Sequence, residues 1–149
     1  MAQPPVPHPS AAAPAVVPVA IRKRKTREQH ASETAQDYAE VIAELIEKSG
    51  EARATDVARE MGVSHVTVVR TVSRLKRQGI LTTQPYRSIF LTDEGRKLAR
   101  QSRARHQIVV HFLEALGVSV ETAQSDAEGI EHHTSAETLA AMKAFLAGK

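Results

Sequence analysis

Glu128, Glu131 and His132 stand at i, i+3 and i+4 within Asp126-Ala127-Glu128-Gly129-Ile130-Glu131-His132-His133. On a helix all three side chains leave from one face. Two carboxylates and an imidazole in one patch combine hard and borderline donors, a set that suits a divalent first-row metal. One helix cannot close a coordination sphere, so partners must come from elsewhere. Asp37 and Glu40 share a face at i, i+3, and His106 follows in Arg103-Ala104-Arg105-His106. If those helices converge, the six residues suffice for two divalent cations sharing bridging carboxylates, with the carboxylate and cation charges cancelling. Without metal, two carboxylates about 5 Å apart at an effective dielectric of about 20 repel by roughly 3 kcal/mol. The metal-free chain is therefore expected to hold its first helix away, and metal to dock it.

Taken singly, these pieces have plainer readings. A Glu-x-x-His pair is frequent on helix surfaces, and Asp37 with Glu40 reads equally as a solvated face near a helix start. His106 alone reads as a hydrogen-bonded histidine, and His30, His65, His111 and His133 as ordinary ones where metal is concerned.

The elements that must position these residues follow from the hydrophobic pattern. Six of the seven prolines lie within the first 18 residues, among Ala and Val, too poor in large side chains to build a core. Residues 1–28 are expected to form a disordered tail with a basic end, Arg22 to Lys25 and Arg27, which reads as a solvated cluster or a phosphate contact. From Ser32 the spacing of Tyr38, Val41, Ile42, Leu45 and Ile46 predicts a helix stopped near Gly50. A short helix over Thr55 to Met61, a turn at Gly62-Val63 and a helix capped by Ser64 to about Gln78 come next. Ile80 to Gln84 and Ile89 to Leu91 read as a small wing around Pro85 to Ser88. Thr92, Ser119 and Ser135 then cap three helices, reaching about Leu116, through the Glu128 patch, and to Leu146.

The expected fold is all-α with a small β-wing. A winged helix-turn-helix over 29–97 precedes an all-helical metal-binding and dimerisation domain over 98–149. Hydrophobic residues at 42% with only 3% aromatics and no Trp agree with helices packed by Ala, Val, Leu and Ile. The formal charge of +3 permits nucleic-acid binding without demanding it. Absence of cysteine removes disulfides and thiolate metal sites. No apolar run approaches the ~18 residues of a membrane span. The basic cluster follows the N-terminal apolar run, where a secretory signal would have it first, so a cytoplasmic protein is expected.

Thr55 to Arg70 has the build of a helix-turn-helix. Val57, Ala58 and Met61 face inward, Gly62 allows the turn, Val63 plugs the elbow, and Val68, Val72 and Leu75 form the buried stripe of the second helix. Ser64, His65 and Thr67 lie at the end that reaches base edges in a major groove. Arg70, Arg74 and Arg77 are placed for phosphates, and Arg87 at the wing tip for phosphate or minor groove. A helical hairpin with solvated arginines is the plainer alternative.

Over roughly Ala35 to Leu146 the chain resembles the DtxR family of metal-dependent repressors, in its manganese-sensing branch. The resemblance rests on Asp37-Tyr38-x-Glu40, the winged helix-turn-helix ending Leu91-Thr92-x-x-Gly95, Arg105-His106 and Glu128-Gly129-Ile130-Glu131-His132-His133. It implies that Asp37, Glu40, His106, Glu128, Glu131 and His132 are the metal ligands. The iron-sensing branch has Met and Cys where Asp37 and Glu128 stand, and exchanging soft sulfur for carboxylate favours hard Mn²⁺. Longer members carry an SH3-like third domain, expected to be absent here. Many relatives have Pro in the first turn of the recognition helix, where this chain has Ser64-His65-Val66-Thr67, so base contacts do not carry over.

The expected function is a homodimeric repressor of Mn²⁺ uptake genes with about two Mn²⁺ per chain as co-repressor, acting on a pseudo-palindromic double-stranded operator. No membrane and no small-molecule substrate are expected. Fe²⁺, alone or with Mn²⁺, is the alternative signal. A carboxylate-bridged dimetal enzyme is a distant second class, because such sites need two Glu-x-x-His pairs in a four-helix bundle and this chain has one. No GxSxG, HExxH or P-loop pattern points to an enzyme either.

Overall fold

The structure is a computed structural model that describes residues 19–84 and 88–149. Its elements run α1 Val19–Ser49, α2 Ala54–Met61, α3 His65–Arg77, β1 Leu81–Thr83, β2 Ile89–Leu91, α4 Asp93–Ala115, α5 Val120–His133 and α6 Ala136–Ala147. Helices with a small antiparallel sheet are the fold class read from the sequence. The first helix differs from expectation: it starts at Val19, well before Ser32, and so covers residues assigned to the tail. Pro18 is the last proline of its run, and the Ala, Arg, Lys, Glu and Gln that follow all sustain a helix. The side chains of Arg22 to Lys25 and Arg27, like the proline-rich stretch, lie outside the described residues.

One core gathers under α1, α2, α3 and the wing. Tyr38, Ala39 and Ile42 from α1 meet Val57, Val68, Leu75, Leu81 and Ile89, all essentially inaccessible to water. Ser64 closes the start of α3 by accepting from the Thr67 N–H at 3.1 Å, and Gly62 turns the chain in the left-handed region at φ 66°. Val63 departs from its expected role. It is 36% exposed, and its contribution to the elbow is a backbone bond to the Ala58 carbonyl at 3.1 Å. The wing pairs Leu81 with Leu91 and Thr83 with Ile89, and Ala52 adds a bridge to Ile89.

The Leu91-Thr92-x-x-Gly95 motif joins wing to helix. The Thr92 hydroxyl accepts from the Gly95 N–H at 3.1 Å and approaches the Gly79 and Ile80 carbonyls at 2.6 and 3.0 Å. A Cβ on Gly95 would collide with the Ile80 carbonyl oxygen, so the start of α4 can lie on the wing only without a side chain there. From that anchor α4 runs without a break across the expected domain boundary. Ala99 belongs to the first core, while Val109 and Val110 form a second with Ala123 and Ala127 of α5, covered by Leu113, Val118, Leu139 and Met142. One continuous helix therefore fixes the two cores relative to each other.

Candidate metal centre

The ligand candidates meet where α1, α4 and α5 converge, and each is placed by its own element. Bidentate contact of Arg103 with Glu47, at 3.0 and 3.3 Å, ties α4 to α1. Arg105 reaches the last turn of α5, donating to the Glu131 and Thr134 carbonyls at 2.9 and 2.8 Å. The Arg105-His106 pair thus both orients α5 and faces it.

Two clusters result. In one, ligand atoms of His106, Glu128 and Glu131 all lie within 4.8 Å of one another; in the other, those of Glu33, Asp37 and His132 do. His106 Nδ1 stands 2.6 Å from Glu131 Oε2 and 3.7 Å from Glu128 Oε1. His132 Nε2 stands 3.0 Å from Asp37 Oδ1 and 3.3 Å from Glu131 Oε1. Glu131, only 1% exposed, therefore bridges the clusters with one oxygen toward each. Repulsion between carboxylates is offset by imidazoles set among them, so α1 need not stand away.

A glutamine fixes each imidazole. Gln124 Oε1 accepts from His106 Nε2–H at 2.8 Å, turning Nδ1 toward Glu128 and Glu131. Gln36 Oε1 accepts from His132 Nδ1–H at 3.0 Å, turning Nε2 toward Asp37. Outer partners of this kind set tautomer and ring direction at metal sites. With carboxylate oxygens and aimed imidazole nitrogens as donors, the centre fits a divalent ion.

Electrostatics agree with a site that exchanges protons for metal. Burial pushes the Glu131 carboxyl up to about 7, against the opposing pull of His106 and His132. Glu40 is raised chiefly by burial, with Glu128 and Asp37 adding to it, while a Ser102 hydrogen bond works the other way. For His132 the hydrogen bond to Asp37 leads the rise. Burial opposes any rise at His106, but contacts with Gln124, Glu131 and Glu128 outweigh it.

Five of the six predicted ligands fall into the two clusters. Glu40 does not: its Oε2 accepts from Ser102 Oγ at 3.0 Å, next to the clusters without joining either three-residue group. Glu33 takes the place beside Asp37 and was missed, although its position four residues before Asp37 puts it on the same stripe of α1.

On the predicted nucleic-acid surface, Ser64, His65, Thr67, Arg70 and Arg74 are all exposed along α3. Ser64 and Thr67 are also bonded to each other through their hydroxyls at 2.9 Å. Arg87 lies outside the described residues. Val66 and Val69, 59% and 47% exposed, lie on the same outward surface, where an apolar side chain suits a thymine methyl.

Comparison with known proteins agrees with this architecture. Residues 30–89 match the iron dependent repressor N-terminal DNA binding domain. Residues 92–148 match the iron dependent repressor metal binding and dimerisation domain. The chain is 52% identical over 122 residues to Transcriptional regulator MntR of Escherichia coli, covering 82% of this chain and 79% of that one. It is 38% identical over 100 residues to HTH-type transcriptional regulator MntR of Bacillus subtilis, covering 67% and 70%. Among solved structures, a manganese-dependent transcriptional repressor in complex with manganese superposes with a TM-score of 0.68 at 30% identity; the match covers 76% of this chain and 52% of that one. The chain thus spans about half the length of that structure. Family and relatives are regulators, which removes the dimetal-enzyme reading. With the winged helix, the helical second unit and a metal-ligand set at their junction, the chain belongs to the DtxR (iron dependent repressor) family of metal-dependent transcriptional repressors.

Proposed function

We propose that this chain is a manganese-responsive repressor in which Mn²⁺ is held by Asp37, Glu40, His106, Glu128, Glu131 and His132. The observation that carries the reading is the position of the ligands. They span the seam between α1, which belongs to the DNA-binding unit, and the α4–α5 pair of the dimerisation unit. Divalent charge bound at the seam offsets the crowded carboxylates and holds the two units together. Asp37 binds from α1, His106 from α4, and Glu128, Glu131 and His132 from α5, with Gln36 and Gln124 keeping the imidazoles aimed.

Manganese is favoured by a donor set with four carboxylates and no sulfur, and by the manganese-dependent relative named above. In a homodimer the same clasp sets the spacing of two α3 helices, suited to operator half-sites about 10 bp apart or a multiple of it. Ser64, His65 and Thr67 are placed for bases, with Arg70, Arg74 and Arg87 for phosphates. The genes under control are those of Mn²⁺ uptake, shut off when the metal is plentiful. The description of the matching family as iron dependent makes Fe²⁺ the second reading.

The test is a Mn²⁺ titration of chelator-stripped protein, with free Mn²⁺ counted by EPR, alongside operator selection with and without metal. About two ions per chain and metal-dependent retention of DNA are expected. Glu128→Gln and His132→Ala are expected to fold yet lose metal-dependent DNA binding. Unchanged Mn²⁺ dependence in both variants would remove the site, and tighter operator binding with Fe²⁺ under anaerobic conditions would reassign the signal.

A further inference from the structure

We propose that Glu33 is an additional metal ligand, joining Asp37 and His132 at the α1 edge of the centre; this deepens the co-repressor reading and rests on it. Glu33 and Asp37 are one helical turn apart on α1, and their ligand atoms lie within 4.8 Å of each other and of His132. Two carboxylates with one imidazole make an oxygen-rich set for a hard divalent ion. His132 is already oriented for it, because Gln36 engages Nδ1 and leaves Nε2 facing α1.

The second observation is an orphaned atom. Glu33 Oε2 is buried and has no hydrogen-bond partner among the described residues. Nearby stand His30 Nδ1 at 3.4 Å and His133 Nε2 at 3.6 Å, neither in hydrogen-bond geometry. A buried carboxylate oxygen left without a donor costs stability, and native proteins rarely leave one so. The neighbouring acids are provided for: Ser102 donates to Glu40, His106 faces Glu131 and His132 faces Asp37. The Glu33 oxygen has no such donor among the described residues, and a cation beside Asp37 would supply its counter-charge. His30 and His133, edge to face with ring centres 5.8 Å apart, flank the carboxylate and restrict its direction.

The consequence is regulatory. Beside Asp37 and Glu40, Glu33 gives α1 a further hold on the metal, about 6 Å along the helix from Asp37. That hold raises affinity at the junction whose closure positions the recognition helix, and so lowers the metal concentration at which the repressor engages DNA.

The experiment compares wild type, Glu33→Gln and Glu33→Asp by Mn²⁺ EPR titration and by thermal melting followed by circular dichroism, with and without Mn²⁺. Both variants are expected to melt close to wild type when metal-free, since Glu33 Oε2 accepts no hydrogen bond among the described residues and its contacts with His30 and His133 are long. Each is expected to bind one of its two ions about tenfold or more weakly, the range seen when metal-site partners are altered, with the other ion unaffected. Glu33→Asp tests ligation against charge, because it keeps the charge and shortens the reach. Wild-type titrations in both variants, or a loss confined to Glu33→Gln, would overturn the ligand role. Metal-free variants that melt lower would assign Glu33 a structural role instead. Failure of the wild type to bind Mn²⁺ would overturn the co-repressor reading itself, and this inference with it.

Discussion

At the scale of single residues, the centre is a set of acids and imidazoles whose charged states depend on one another. Glu131 carries the most information, being almost fully buried and facing both His106 and His132. Its folded pKa of about 7 lies above the ordinary 4.5, and those of His106 and His132 lie above 6.5. In each case the folded state holds a proton that the unfolded state releases. Stability of the metal-free chain is therefore expected to be full below pH 4.5, to fall from there through pH 7 as Glu131 loses its proton, and to fall further above 6.5 as the two imidazoles lose theirs. Mn²⁺ binding requires those protons to leave, so affinity is expected to run the opposite way, weakening as pH drops below about 7. Melting temperatures with and without Mn²⁺ across that range should show opposite slopes, and parallel slopes would contradict the protonation scheme. Spacing grouped Glu128, Glu131 and His132, and paired Asp37 with Glu40, because i, i+3 and i+4 report a shared helical face; His106 stood alone and was tied to them only by the family resemblance. Glu33 obeys the same rule, but only the convergence of α5 gives it a partner.

At the scale of elements, α4 is the beam of the molecule and Gly95 its bearing. Helix caps were readable directly: Ser64, Thr92, Ser119 and Ser135 each accept from the backbone N–H three residues on, and side-chain caps are local chemistry. What the cap residues cannot show is the contact of Gly95 with Ile80, which depends on the wing folding back. Gly95→Ala is expected to destabilise the metal-free protein by about 1–3 kcal/mol, as overpacking does, read as a lower chemical-denaturation midpoint. An unchanged midpoint would mean that wing and helix separate freely. The start of α1 was the element misjudged. Composition made residues up to 28 look like tail, whereas helix geometry depends on where proline stops, and it stops at Pro18.

At the scale of the whole molecule, a second apolar surface is left over. Leu116, Val120 and Phe145 are exposed at 58%, 58% and 41%, while α6 has no fully buried residue. Leu113 and Leu139 pack onto the chain's own second core. Leu116 and Phe145 remain for the partner, Phe145 being supported edge to face by Phe112 at 5.3 Å. A matching dimerisation domain makes a second copy the natural cover. Leu116→Glu with Phe145→Glu is expected to give monomers in sedimentation and to weaken operator binding at least tenfold, while Mn²⁺ stoichiometry stays as in wild type. A stable double-variant dimer would place the interface elsewhere. Among the described residues, no helix is long and apolar enough to cross a membrane.

By itself the sequence determined the helices apart from the start of α1, the caps of α3 to α6, the wing strands and the face of α5 that carries Glu128, Glu131 and His132. These are short-range consequences of periodicity and side-chain chemistry, which act within a turn or two. Only the tertiary structure decided that Glu131 faces both imidazoles, that Glu40 goes to Ser102, and that Glu33 stands beside Asp37 and His132. Those choices depend on how far three helices approach and rotate when their cores pack, a balance of many contacts distant in sequence that no local spacing encodes.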